Sequence, residues 1–134
     1  MAGIYLHIPF CHSKCHYCNF YSGVSLKYMD AFVDSILIEI DRRKDYLKDE
    51  EISTIYFGGG TPSVLSAEKL DLILSRLKSV FDISKDCEIT LEANPEDIKE
   101  EFISQIKTLG VNRLSIGCQA FDNVLLKNLN IVHN

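Results

Sequence analysis

The sequence contains no tryptophan, only three prolines, and no apolar run long enough to cross a membrane. A membrane-spanning helix needs about 20 consecutive apolar residues. Residues 1–5 also lack the basic segment and apolar stretch that open a secretory signal. We therefore expect a cytoplasmic protein without a transmembrane segment.

Positive charge is also scarce, because the chain has 14 lysines and arginines and 19 aspartates and glutamates, which gives a net charge of -5. The basic residues are scattered along the chain, whereas a nucleic-acid-binding domain normally clusters them on one face. Nucleic acid is therefore not an expected partner. The 46% hydrophobic and 25% charged content is typical of one globular core, so we expect one domain or part of one.

A disulfide framework is not expected either, because the five cysteines are odd in number and three of them fall within eight residues. Such crowding is typical of metal or cluster ligands in a reducing compartment. The other two, Cys87 and Cys118, are predicted to be small buried apolar residues. His7, His12, His16 and His133 show no spacing that indicates a metal site, and we assign them no role.

Strand and helix patterns alternate along the chain, which predicts an α/β fold with a parallel sheet, either doubly wound or a barrel. No fifth strand pattern follows residue 129, so the sheet is either small and open or part of a larger one. The predicted strands are residues 4–8, 52–57, 88–91 and 113–116, and the predicted helices are residues 29–40, 70–81, 95–109 and 123–129, with Gly110 closing the third.

Functional groups of parallel α/β folds gather in the loops at the carboxyl ends of the strands. Four unusual sequences follow the four predicted strands. They are the cysteine loop of residues 9–22, the triple glycine of residues 58–60, Glu92 with Asn94, and Gly117 with Gln119. We therefore expect all four to share one rim.

The cysteine loop is the strongest of these signals. Thiolates from Cys11, Cys15 and Cys18 can bind three irons of a [4Fe-4S] cluster and leave the fourth iron open for a ligand. The alternative is a zinc-binding structural module, in which one of His7, His12 or His16 completes a tetrahedral site. The spacing alone leaves both open, and the other three loops on the same rim favour the cluster.

The remaining loops give weaker signals. Gly60 and its glycine neighbours let backbone N–H groups approach a ligand closely, although a glycine run is more often a tight turn. Glu92 can accept hydrogen bonds from a ribose diol or an ammonium group, or it can be an exposed loop carboxylate. Gln119 can contact a ligand or simply satisfy local backbone.

Four ordered motifs together resemble the oxygen-independent coproporphyrinogen III oxidase family of radical S-adenosylmethionine (SAM) proteins. The resemblance spans most of the chain. The motifs are His7-Ile8-Pro9-Phe10-Cys11 with Cys15 and Cys18, Gly58-Gly59-Gly60-Thr61-Pro62-Ser63, Leu91-Glu92-Ala93-Asn94-Pro95, and Arg113-Leu114-Ser115-Ile116-Gly117-Cys118-Gln119.

The resemblance implies that residues 1–134 form the N-terminal part of a radical SAM core domain. It implies a partial TIM-like barrel of about four βα units, incomplete at the C-terminus. The cofactors would be a [4Fe-4S] cluster on Cys11, Cys15 and Cys18, and SAM. The implied SAM contacts are Tyr17, Gly60, Thr61, Glu92 and Gln119, and the implied porphyrin-facing positions are Tyr5 and Gly59.

The family has two branches, and Phe20 helps to separate them because the decarboxylating oxidases carry a further cysteine at that position. The chain is similar to the haem chaperone branch, which implies haem binding, a haem acceptor and an electron donor. The alternative is the oxidase, in which SAM is cleaved to a radical that takes hydrogen from porphyrinogen propionates. Ile131 stands where the family pattern has an arginine two residues before a histidine, so SAM binding and turnover are expected to be weakened.

Four βα units cannot close a barrel, which predicts an unpaired edge along residues 113–116. The inner faces of residues 52–57 and 89–91 are expected to lose their apolar cover. The isolated chain is therefore predicted to self-associate or to be only marginally stable.

Overall fold

The computed structural model describes residues 1–47 and 50–131. The elements alternate along the chain as the sequence predicts, with short 3-10 turns at Leu26–Tyr28, Pro62–Val64 and Pro95–Asp97. The strands are β1 (Ala2–Ile8), β2 (Ile52–Gly59), β3 (Ile83–Ala93) and β4 (Arg113–Ile116), and the helices are α1 (Met29–Arg42), α2 (Ala67–Val80), α3 (Glu100–Thr108) and α4 (Asn123–Asn128).

The four strands form one parallel sheet in the order β1-β2-β3-β4. Each connection therefore moves the chain one strand further in the same direction. A doubly wound sheet would reverse direction at a switch point, whereas this order is that of a (β/α) barrel. The structure thus decides between the two predicted architectures in favour of a partial barrel.

The two faces of the sheet differ in chemistry, because side chains alternate along each strand. Apolar residues face the helices. In the central apolar row, where Leu6, Phe57, Leu91 and Leu114 lie in register, Phe57 and Leu91 are 0% exposed. The opposite, inner face is polar. Tyr5, Tyr56, Thr90 and Arg113 lie in register across this face. Further along the strands, His7 pairs with Gly58 and Glu92 pairs with Ser115.

The prediction that the inner face would be an uncovered apolar surface is therefore wrong. Ile52, Ile55 and Leu91 are fully covered, and Ile89 is 4% exposed. Within the described residues, β4 has a strand partner on one side only, so its outer edge is unpaired. Self-association through that edge stays a prediction.

The third predicted helix differs most from the structure. The pattern predicts one helix over residues 95–109, but the chain makes a 3-10 turn at Pro95–Asp97 and begins α3 only at Glu100. Ile98 has a ψ of 78°, which is not helical. Asp97 in this turn contacts His12 and Ser63 in loops that are distant in the sequence, and a helical pattern cannot indicate such contacts. No helix in residues 1–47 and 50–131 has the length and apolarity to span a membrane.

Candidate functional site

A cavity of about 320 Å³ opens at the carboxyl end of the sheet, where the loops after all four strands meet. It brings together the implied cluster ligands and SAM contacts, so the prediction of one shared rim agrees with the geometry. The sequence-predicted residues that line it are Cys11, Cys15, Tyr17, Cys18, Gly59, Gly60, Thr61, Glu92 and Gln119.

The cysteine loop of residues 9–22, called the cluster loop below, is closed at its base by backbone hydrogen bonds. The Cys11 N–H donates to Gly23 O at 2.9 Å, and the Gly23 N–H donates to Pro9 O at 2.9 Å. These bonds extend the sheet-like pairing beyond β1. They hold the backbone of Cys11, which lines the cavity and is only 8% exposed, while Cys15 and Cys18 are half-buried.

The three thiols are close enough to influence one another. Burial raises the pKa of Cys15, a hydrogen bond with Tyr17 opposes that rise, and the neighbouring thiols Cys18 and Cys11 raise the pKa further. In the described residues, no three His, Cys, Asp or Glu side chains are arranged to hold a single metal ion. In a cubane cluster each thiolate binds its own iron, and Cys11, Cys15 and Cys18 all line the one cavity.

The triple glycine does not present its backbone as the sequence predicts. The Gly60 N–H donates to Ile8 O at 2.8 Å, and the Thr61 N–H donates to Phe10 O at 2.7 Å, so neither is available to a ligand. Gly60 instead allows the cluster loop to lie close to the backbone of β2 and the residues after it. A Cβ there would lie 2.5 Å from Phe10 O and 2.9 Å from Cys11 Sγ. Glycine at this position therefore lets the cluster loop lie directly against β2.

Glu92, at the end of β3, is held by two donors from β2. The Tyr56 hydroxyl donates to Oε1 at 2.7 Å, and the Gly59 N–H donates to Oε2 at 3.1 Å. The first bond, together with burial, raises the pKa of Tyr56. A carboxylate accepts about four hydrogen bonds, so Glu92 retains capacity for a ligand. Glu92 is therefore not the exposed loop carboxylate that the sequence left as an alternative.

Gln119 adopts a backbone conformation that is uncommon for any residue except glycine, with a φ of 60°. Its amide folds back over Gly117, where a Cβ would lie 2.8 Å from Gln119 Nε2. Such conformations concentrate at functional sites. The neighbouring Cys118 is half-buried rather than buried as predicted, whereas Cys87 is buried as expected.

Tyr5 is the one predicted site residue outside the cavity lining. It lies on the polar inner face, with its ring centroid 6.0 Å from that of Tyr56 and its hydroxyl 3.1 Å from His7 Nδ1. Burial, followed by the charge of Glu92, raises its pKa. The two implied porphyrin-facing positions, Tyr5 and Gly59, thus lie on the inner face and in the cavity wall, respectively.

The functional residues that sequence reasoning missed are mainly anchors of the cluster loop. Three histidines that received no role all contact partners outside their own segment. A ring nitrogen of His7 lies 3.1 Å from Tyr21 O. A ring nitrogen of His12 lies 3.0 Å from Asp97 Oδ1. A ring nitrogen of His16 lies 3.1 Å from Asn128 O. No local pattern indicates such contacts, since two of the partners lie 85 and 112 residues away. His133 lies outside the described residues.

The cavity has an acidic character. Its charged lining residues are Glu92, Glu96 and Lys14. The ammonium of Lys14 is directed to loop partners, since it donates to Phe20 O and Ser22 Oγ at 3.0 Å each. Two carboxylates beside three thiols favour a ligand that carries positive charge.

Comparison with known proteins identifies a matching family model and several relatives of this chain. The family model of the Radical SAM superfamily matches residues 5–134. "Heme chaperone HemW" of Lactococcus lactis is 40% identical over 130 residues, which cover 96% of this chain and 33% of that protein. "Heme chaperone HemW" of Escherichia coli is 37% identical over 132 residues, which cover 97% and 35%.

A solved structure of another radical SAM protein is also similar to this chain. Coproporphyrinogen III oxidase (HemN) from Escherichia coli, described as a radical SAM enzyme, matches with a TM-score of 0.92 and 29% sequence identity. The match covers 98% of this chain and 31% of that one. The chain therefore spans about a third of the length of the relatives that it matches.

Proposed function

Because the chain belongs to the radical SAM superfamily, we propose that it binds a [4Fe-4S] cluster and SAM within a haem chaperone that passes haem to an acceptor. The observation that carries the proposal is the single cavity shared by three thiols and the implied SAM contacts. An electron donor and a haem acceptor are the partners that this function requires, and we propose that both act in the cytoplasm.

Cys11, Cys15 and Cys18 are the residues that would hold the cluster. When bound, the cluster supplies an electron and one open iron for SAM. The chain's own contribution is to hold the three thiols around one cavity, with Gly60 leaving room for Cys11 Sγ. Backbone hydrogen bonds of Cys11 and Gly23 hold the base of the loop beside β1.

The acidic cavity suits SAM, which carries an ammonium and a sulfonium group. Glu92 would accept hydrogen bonds from the ammonium or the ribose, since Tyr56 and Gly59 already fix both of its oxygens in place. Tyr17, Gly60, Thr61 and Gln119 would complete the contacts. Ile131 lines the same cavity with an apolar side chain, and we expect it to bind SAM more weakly than an arginine would.

Two observations favour the chaperone over the oxidase. The two curated relatives described above, at 37–40% identity, are both named heme chaperones. Phe20, where the decarboxylating branch has a cysteine, lines the cavity without a thiol. The alternative, an oxygen-independent coproporphyrinogen III oxidase, is favoured by the high structural similarity to HemN.

Two assays on the anaerobically reconstituted protein separate these functions. In a haem titration followed by visible absorption, we expect saturable binding that Tyr5→Ala weakens and that Tyr28→Ala, on an exposed tyrosine, leaves unchanged. With coproporphyrinogen III, SAM and a reductant, we expect no protoporphyrinogen. Protoporphyrinogen above the level of a blank without protein would favour the oxidase. Unchanged haem binding in Tyr5→Ala would show that Tyr5 does not belong to the haem site.

A further inference from the structure

Asp97 joins three of the loops that surround the cavity. Its Oδ1 lies 3.0 Å from Nε2 of His12, the residue directly after Cys11 in the cluster loop. Its Oδ2 accepts a hydrogen bond of 2.5 Å from Ser63 Oγ, in the turn after β2. Asp97 itself lies in the turn after β3, and its side chain is 14% exposed. One carboxylate therefore connects the loops after β1, β2 and β3.

We propose that Asp97 is a positioning residue for the iron–sulfur site, which holds the segment between Cys11 and Cys15 against the rest of the rim. The proposal rests on the cluster-binding function proposed above. Asp97 lies behind the cavity wall rather than in its lining. It acts through His12 on the adjacent Cys11, as a second layer of contacts supports the ligands of a metal site.

The opposite side of the cluster loop is held by a different element. The His16 N–H donates to Leu129 O at 3.1 Å, and Asn130 Nδ2 donates to Lys14 O at 2.9 Å. These contacts come from the C-terminal end of α4. The Asp97 junction supplies the matching support on the β2 and β3 side, so the segment that contains two of the thiols is held from both directions.

The backbone around Asp97 supports the same role. The apolar pattern predicts a continuous helix through this position, yet the chain leaves the helical conformation at Ile98, and the Lys99 N–H donates to Asp97 O at 2.9 Å. Ser63, the partner in the neighbouring turn, is buried at 8% exposure. The turn thus directs the carboxylate at the rim instead of continuing α3 by one more turn.

The first test measures iron release from the reconstituted chain to a chelator. Asp97→Ala should accelerate release on the order of 10-fold to 100-fold, the usual cost of removing a supporting contact. Asp97→Asn should largely restore retention, because its oxygen still accepts from His12 and its amide can donate to Ser63 Oγ. The matched control is Asp71→Ala on α2, which also removes a serine-to-aspartate hydrogen bond but lies outside the cavity lining.

The second test needs no cluster and uses thiol alkylation of the apo chain. Cys11 and Cys87 are similarly buried, at 8% and 6% exposure. Asp97→Ala should raise the labelling rate of Cys11 several-fold and leave that of Cys87 unchanged. A rise at both thiols would mean general unfolding, and unchanged labelling of Cys11 would mean that Asp97 does not hold the loop. Either result overturns the proposal.

A double-mutant cycle links the effect to His12. If Asp97 acts through His12, then His12→Ala and Asp97→Ala together should accelerate labelling of Cys11 little more than either alone. Fully additive effects would contradict the assignment. If even the unmodified chain takes up no iron and sulfide, the proposed cluster function fails, while the labelling result still decides the role of Asp97.

Discussion

Phe57 and Phe20 are the same residue type in two regions that are stabilised differently. Phe57 lies in the central apolar row of the sheet and is 0% exposed, whereas Phe20 lies in the cluster loop and is 67% exposed. Around Phe57, neighbouring strands and helices supply continuous apolar cover. Around Phe20, the loop is held by hydrogen bonds from Lys14 and by distant side chains. Burial therefore stabilises the first region, and specific polar contacts position the second.

The difference has a functional consequence. A loop that a few polar contacts hold can place its thiols along the wall of a cavity that a cofactor can enter, which a packed core cannot do. The core in turn fixes the strand ends on which the loops stand. We expect changes in the core to affect folding, and changes in the loop contacts to affect the site with less effect on folding.

The largest effect is expected in the core. Phe57→Ala should lower the free energy of unfolding by about 3–5 kcal/mol, because it leaves a cavity between sheet and helices. Chemical denaturation measures this change. The matched control is Phe121→Ala, since Phe121 is 99% exposed. Equal effects of both substitutions would show that the central row is not the stabilising core.

Gly60→Ala tests the contact between the two regions. The new Cβ would lie 2.5 Å from Phe10 O, and overpacking of this kind typically costs about 1–3 kcal/mol. We expect lower stability together with reduced iron uptake, because Cys11 Sγ must move as well. Gly23→Ala is the control, since a Cβ at Gly23 meets nothing within 4 Å. Full iron uptake by Gly60→Ala would mean that the loop does not depend on this contact.

The unpaired edge of β4 predicts weak self-association. Sedimentation velocity over a concentration series should show growth of the average mass with concentration. Ile116→Lys places a charge on this edge, where Ile116 is 45% exposed, and should shift the chain towards monomer. A compact monomer at every concentration would show that the edge does not pair.

The smallest effect concerns pH. The hydrogen bond to Glu92 raises the pKa of Tyr56 above its ordinary value of 10.0. The stabilisation from protonated Tyr56 is therefore complete below pH 10.0 and is lost as the pH rises through the folded-state pKa. Tyrosinate absorbance should show a late-titrating fraction that Tyr56→Phe reduces. Glu92→Gln should move this fraction to lower pH, and an unchanged titration in both variants would contradict the contact.

The sequence predicted the sheet well because its signals are local. β-branched and aromatic residues mark β2, and β4 has the predicted bounds of residues 113–116. β3 was predicted too short, since it begins at Ile83 and passes through polar residues. Its register with β2 shifts between the pairs Ile52–Ile83 and Thr54–Glu88, so tertiary pairing rather than propensity extends it.

The site was predicted less completely. Its residues were found from motifs, but the contacts among them were not. The N–H groups of Gly59 and Gly60 bind Glu92 and Ile8 rather than a ligand, because the loops pack more closely than a sequence pattern can indicate. The His12–Asp97 contact joins residues 85 positions apart and has no local signature.

The central claim is that three thiols of one loop hold an iron–sulfur cluster. The most direct measurement is iron, sulfide and zinc analysis after anaerobic reconstitution, made on the unmodified chain, on Cys15→Ser and on Cys87→Ser. We predict about four iron and four sulfide per chain, lost in Cys15→Ser and retained in Cys87→Ser, whose thiol is buried in β3. Zinc without sulfide, or equal loss in both variants, would contradict the account.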